Sequence, residues 1–298
     1  MAVRWQIIEK LQAEQTEISL RTLLAKQWLL PSRFVHFLRV NHHVLVNGHY
    51  QYMSEPVHPG DQVTMMFTGE EFRTADSHYL ASNEAQLKVL YENRDLMVVH
   101  KPAGQKSHPN QPLENNTLMN DAQAYLAKQG TNAYMVHRID QATSGAVIVA
   151  KNPIVVPILD RLITQGRIHR EYLAVIHGQL KPAQGSFEWP IGRDPKDRRK
   201  RNVDGIHAQS ALTKYEQLAT DGQLSLVKLQ LLTGRTHQIR VHLAYSGHPI
   251  VGDPLYSQDE HGPMLLHGYR QQLVLPFSST TMVVHATLPP YFPESLVK

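Results

Sequence analysis

A lone carboxylate, Asp140, stands behind a His–Arg pair in "HRIDQATSGAVIVAK" (137–151), ahead of a Thr-Ser-Gly turn and an apolar run that predicts a buried strand. No second acid sits close by in the sequence. One carboxylate can still act alone, as a nucleophile or by stabilising positive charge at a sugar's anomeric carbon. An Asp before such a turn can equally serve as an Asx turn or a cap. A second stretch, "LLTGRTHQIRVHLAYSGHPIVGDPLYS" (231–257), predicts a helix over 236–246, stopped by Gly247 and Pro249. Arg235 then falls at the helix entrance, where free backbone N–H groups favour an anion, either a phosphate or a carboxylate. Tyr172, in "HREYLAVIHG" (169–178), adds an aromatic hydroxyl.

Several other chemistries lack their signals. His237, His242 and His248 lie close together, but the first two are five residues apart and no flanking Glu follows the H-E-x-x-H pattern. With no cysteine to add a ligand, no metal site is expected. There is no G-x-x-x-x-G-K-[ST], no G-x-G-x-x-G and no G-x-S-x-G, so no nucleotide cofactor and no serine nucleophile are expected. The chain has 298 residues, 30 Lys+Arg against 26 Asp+Glu, and a pI near 9.1, a mild lean toward polyanions. No apolar run approaches the length of a membrane span and the start is not a secretory signal, so a cytoplasmic protein without a membrane partner is expected.

The elements that must hold these residues divide into two groups. Residues 19–30 have helical apolar spacing up to Pro31, and "SRFVHFLRV" (32–40) predicts a second helix with Ser32 as its cap. A hairpin at Asn47-Gly48 and a strand in "VHPGDQVTMMF" complete a small module over 1–70. Polar text from residue 69 marks a linker, set at 71–86. Two strands in "LKVLYENRDLMVVHKPAG" then open a domain over 87–298 whose strands and helices mix without regular alternation. A basic run, "RDPKDRRKR" (193–201), could track phosphates or lie in a solvated loop.

Together the stretches resemble the RluA-type family of RNA pseudouridine synthases. The family signature H-R-L-D-x-x-T-S-G is matched by His137, Arg138, Asp140, Thr143, Ser144 and Gly145, with Ile139 in place of Leu. The family's G-R-x-H-Q-I-R-x-H-L is matched by Gly234, Arg235, His237, Gln238, Ile239, Arg240, His242 and Leu243. "LMVVHKPAG", "REYLAVIHG" and "GHPIVGDPLY" extend the likeness over most of 88–285. "SRFVHFLRVNHHVLVNG" and "VHPGDQVTM" are similar to the S-four-like RNA-binding domain often joined to these enzymes. The sequence departs from the family at Gln141-Ala142, at Arg170 in place of Lys, and at Gly268 in place of Ala.

The resemblance implies an α+β fold, a mixed and largely antiparallel sheet with flanking helices, to which the small RNA-binding module is tethered. It implies isomerisation of specific uridines to pseudouridine in structured RNA, ribosomal or transfer RNA, without a cofactor. Asp140 is then the catalytic carboxylate, Arg235 its ion-pair partner, and Tyr172 the residue beside the uracil. The target base must leave its stack to reach Asp140; Arg138 is expected to fill the space it vacates. Arg33, Arg39 and His42 on the module, Arg198, Arg199, Lys200 and Arg201 on the basic run, and Arg240 are the expected RNA contacts. The competing reading is a retired RNA-binding or ribosome-assembly protein on the same fold. Intact Asp140, Tyr172 and Arg235 count against it.

Overall fold

Side chains on a strand point alternately to its two faces, and that alternation decides how the large sheet is covered. In the strands Leu96–Lys101 and Ser144–Ala150, Leu96, Val98, Ala146 and Ile148 join one buried cluster, while Met97, Val99, Val147 and Val149 join another. Both faces are therefore apolar, and both carry helices. The computed structural model describes residues 2–83, 85–259 and 262–297.

The large sheet runs Gln184–Phe187, Thr213–Thr220, Leu224–Leu231, His169–His177, Leu266–Val274, Ser144–Ala150, Leu96–Lys101 and Lys88–Glu92. Every neighbouring pair is antiparallel except one. Ser144–Ala150 and Leu266–Val274 run parallel where Gly145 faces Gly268. Gly145 has φ +120°, and a Cβ there would lie 2.3 Å from the Gly268 carbonyl oxygen, so only glycine lets the two strands meet. The helices Leu118–Ala127 and Gln238–Tyr245 cover one face, through Leu118, Met119, Ile239 and Leu243. The helix Val156–Thr164 covers the other, through Ile158, Leu159 and Leu162. The result is the expected α+β domain.

The N-terminal module is a second sheet, ordered Trp5–Lys10, Gln62–Phe67, Val44–Val46 and His49–Tyr50. Asn47 and Gly48 both have positive φ, as the expected hairpin requires. Two local expectations need correction. The stretch after Ser19 is a short helical turn, Leu20–Thr22, followed by a π-helix, Leu23–Gln27, instead of one helix to Leu30. Ser32 is the first residue of the helix Ser32–Val40 and makes no capping bond; Pro31 takes the cap position with an extended backbone. The module also reaches past residue 70. The Glu71 carboxylate accepts from the Thr68 and Gly69 N–H groups, and Phe72 packs edge-on against Trp5 and Phe34.

The module is docked as well as tethered. One buried cluster runs from Ile7, Leu24 and Trp28 through Ile158 and Leu159 to Phe277. The Trp28 and Phe277 rings meet edge-on at 5.6 Å. Arg161 donates to the Leu29 and Leu30 carbonyls at 2.9 and 3.0 Å, and Arg94 reaches Glu9 at 2.5 Å and the Ile8 carbonyl at 3.3 Å.

Candidate active site

Asp140 sits in a loop that two neighbouring segments hold in place. On its N-terminal side the Ile148 N–H donates to His137 Nε2 at 3.0 Å, so that ring nitrogen carries no proton. Burial keeps His137 neutral, with a pKa pushed down to about 3. Ser107 Oγ donates to the Ile139 carbonyl at 2.6 Å. Just past Asp140, the Gln141 carbonyl accepts from the Gly104 N–H at 2.8 Å and from Lys101 Nζ at 3.1 Å. Lys101 is fully buried and also donates to the Pro102 and Gln105 carbonyls, at 2.9 and 2.7 Å. Burial lowers its pKa to about 7, opposed by the charge of Asp140. Its three acceptors match the three protons of an ammonium group.

The carboxylate's charge partner is Arg240, not Arg235. Arg240 Nη1 donates to Asp140 at 3.1 Å, while its Nε and Nη2 form a two-pronged contact with Asp253, both at 2.8 Å. Burial works against the Arg240 charge, but the bonds to Asp253 and then to Asp140 outweigh it and raise its pKa. Asp253 is fully buried and also accepts from the Leu255 and Tyr256 N–H groups. Arg235 instead donates through Nε to the Ser210 carbonyl at 3.0 Å, and its N–H is taken by Gln238 Oε1 at 2.9 Å. The helix accordingly starts two residues later than expected, at Gln238, because His237 is left-handed at φ +58°. His237 faces Asp140 at 3.9 Å and is bonded through Nδ1 to the Tyr256 hydroxyl at 2.9 Å.

Two connected hollows meet at Asp140. A small one is lined by Asp140, Tyr172, Leu231, Arg235, Arg240 and Leu266. A larger cleft of about 560 Å³ opens outward from it past Lys106, His108, Arg138, Arg199 and His237. Tyr172 is buried at 4 % exposure, its hydroxyl has no hydrogen-bond partner among the described residues, and burial raises its pKa. The arrangement is an acid clamped by a guanidinium at the bottom of an open basic cleft, with an aromatic ring beside it. A flipped-out base fits such a place.

Comparison with known proteins decides what this arrangement belongs to. Residues 95–245 match the RNA pseudouridylate synthase family, and residues 9–63 match the RluD ribosomal pseudouridine synthase N-terminal domain. The chain belongs to the RNA pseudouridylate synthase family. It is 34% identical over 258 residues to the Uncharacterized RNA pseudouridine synthase YhcT of Bacillus subtilis, covering 85% of this chain and 82% of that one. It is 31% identical to the Ribosomal large subunit pseudouridine synthase D of Borreliella burgdorferi, covering 74% and 70%. Among solved structures, the human RNA Pseudouridylate Synthase Domain Containing 1 shares 27% identity with a TM-score of 0.58, over 71% of this chain and 86% of that one. The protein is an RNA pseudouridine synthase, an isomerase that acts on uridine in RNA.

The remaining residues singled out from the synthase's sequence fall into three places. Arg138 is exposed at the cleft wall, 3.4 Å from His108 Nε2. Of the basic run, Arg199 lines the cleft while paired to Asp197 at 2.8 Å; Arg201 turns back to the Arg198 and Lys200 carbonyls, and Lys200 lies over the Tyr256 ring. Arg33 and Arg39 share a depression on the module with Arg21 and His36, whereas His42 stacks on Tyr50 at 4.1 Å. Sequence reasoning missed His237, Asp253 and Tyr256 as parts of the site and gave Arg240 to RNA binding. The available signal was the resemblance itself: His237, Arg240, Asp253 and Tyr256 all fall in the stretch 231–257 that carries it.

Proposed function

We propose that this synthase isomerises a uridine of ribosomal RNA in the cytoplasm, with Asp140 as the carboxylate that acts on the nucleotide. The observation that carries the reading is the Asp140–Arg240–Asp253 chain at the meeting point of the small hollow and the basic cleft. The reaction breaks the bond from the anomeric carbon to ring nitrogen 1, turns the uracil, and joins the anomeric carbon to carbon 5. One proton leaves carbon 5 and one is gained at nitrogen 1, so atoms and electrons balance without an added reactant. Addition to the sugar, addition to the base, and stabilisation of charge at the anomeric carbon all use the same carboxylate oxygens.

In this reading Arg240 fixes the carboxylate's direction and Asp253 fixes Arg240. Tyr172 lies against the uracil and relays the carbon-5 proton through its hydroxyl. Arg235 borders the base, and Arg138 takes the place of the extruded nucleotide in the RNA stack. Ribosomal RNA is favoured over transfer RNA because two relatives, from Borreliella burgdorferi and Neisseria meningitidis, bear the name Ribosomal large subunit pseudouridine synthase D, and because the N-terminal match is to a ribosomal synthase. The test is to map pseudouridines in ribosomal and transfer RNA from cells lacking the protein, with wild type or Asp140→Ala supplied back. Loss of a ribosomal pseudouridine, restored by wild type alone, is expected. Loss confined to transfer RNA overturns the substrate assignment, and restoration by Asp140→Ala overturns the catalytic one.

A further inference from the structure

We propose that the linker between the two domains is part of the RNA-binding surface, and that a single-stranded segment flanking the target uridine runs along it from the active-site cleft to the N-terminal module. The proposal rests on the RNA reading above and adds the path.

The path is continuous in its lining. His108 and Asn110 belong both to the active-site cleft and to a neighbouring hollow of about 290 Å³. His78 and Tyr79, from the linker, belong both to that hollow and to a groove of about 680 Å³ between the domains. Ser32 and Arg33 then belong both to the groove and to the depression on the module that carries Arg21 and Arg39. Four concavities thus share walls in sequence and round the sheet edge at the strand Tyr134–Met135. The docking of the module fixes this geometry, through Arg161 on one side of the groove and the Trp28–Phe277 contact behind it.

Charge along the path favours a polyanion. Arg21, Arg33, Arg39, Arg73 and Arg138 form no ion pair with any described carboxylate. The nearby acids are mostly engaged: Glu71 with the Thr68 and Gly69 N–H groups, Asp76 with Arg4, and Glu114 with Lys106. Asp160 alone is exposed on the groove without such a partner among the described residues. Nine Lys or Arg side chains line the four concavities against five Asp or Glu, so the track is net positive. At its midpoint the His78 and Tyr79 rings lie 4.7 Å apart at 35°. Aromatic rings between cations are how single strands are held without reading their sequence, the bases stacking and the phosphates meeting the charges. A rigid duplex has no unstacked bases to offer such rings, which is why a single strand is the occupant argued for.

The experiment uses full-length protein and, as probe, ribosomal RNA from cells lacking it. Ultraviolet cross-linking of Asp140→Ala to this RNA is followed by identification of the nucleotide-bearing peptides. Adducts are expected on the peptide holding His78 and Tyr79 as well as on the loop around Asp140. Arg73→Glu, an exposed change, and the pair His78→Ala with Tyr79→Ala are each expected to raise the KM for the same RNA about tenfold. Adducts confined to the catalytic loop, with KM within about twofold of wild type, overturn the path and leave the enzyme reading intact. No adducts anywhere and no turnover by wild type overturn both.

Discussion

Asp140 owes its direction to Arg240 on the cleft wall and, behind it, to Asp253, which does not line the cleft, and that is where single substitutions discriminate best. Asp253→Asn takes away one of the two carboxylates that pair with the Arg240 guanidinium, which is itself buried, at 3% exposure, with Asp253 at 0%. The expected result is a loss of roughly 3 kcal/mol in stability, because a buried cation is left half paired, and a fall in kcat of about 100-fold as Asp140 loses its alignment. Denaturant titration and single-turnover rates check the two parts. Arg240→Ala is expected to cost far more activity than Arg235→Ala; equal losses would restore the pairing read from the sequence. At Tyr172 the ring and the hydroxyl separate cleanly. Tyr172→Phe should keep KM while kcat falls about 100-fold, and Tyr172→Leu should raise KM as well. A Phe variant as fast as wild type would remove the proton role. Asp140 and Tyr172 were legible because each lies within a distinctive run of residues. Their charge partner was not, because choosing between Arg235 and Arg240 needs the helix start to within two residues, and the left-handed His237 moves it.

At the scale of elements, the segment 101–107 acts as a splint for the loop that carries Asp140. Lys101→Met removes the hydrogen bonds to the Pro102, Gln105 and Gln141 carbonyls and leaves Gln141 only the Gly104 N–H. Hydrogen exchange at 139–143 is expected to quicken while exchange in Ser144–Ala150 stays slow; uniform quickening would mean general unfolding. Periodicity exposed the two strands of "LKVLYENRDLMVVHKPAG" and the helix Ser32–Val40, each of which shows its pattern locally. The strand Trp5–Lys10 went unseen, since its partner Gln62–Phe67 lies more than fifty residues on and its burial alternates only weakly. The basic run was legible as charge alone. Its fold, a hairpin of Ile191–Arg193 with Arg201–Val203, is what brings Arg199 to the cleft.

At the scale of the whole molecule, docking of the module decides how the protein unfolds. A shared apolar cluster predicts one calorimetric transition for both domains; two well-separated transitions would show that the module is only tethered. Acid should weaken the fold in a defined window. His267 is fully buried between Ser144 Oγ at 2.8 Å and the Ala286 carbonyl at 3.3 Å, and burial lowers its pKa to about 4 from an ordinary 6.5. Between those values the unfolded chain binds a proton that the folded chain refuses, so stability falls as pH drops from 6.5 toward 4. The effect is on the order of 3 kcal/mol, and His267→Gln should reduce the slope in urea titrations across that range, the slope that remains belonging chiefly to His137, whose pKa is also pushed down. The α+β architecture followed from the resemblance, but the orientation of the domains did not, because the interface residues Trp28 and Phe277 read in sequence as ordinary core.

The most direct measurement is release of tritium from carbon 5 of uridine in ribosomal RNA by purified wild type, Asp140→Ala and Arg240→Ala. Release by wild type, none by Asp140→Ala and a small fraction by Arg240→Ala are expected. Release by Asp140→Ala at the wild-type rate would contradict the account at its centre, since no other carboxylate among the described residues lines the small hollow beside Tyr172.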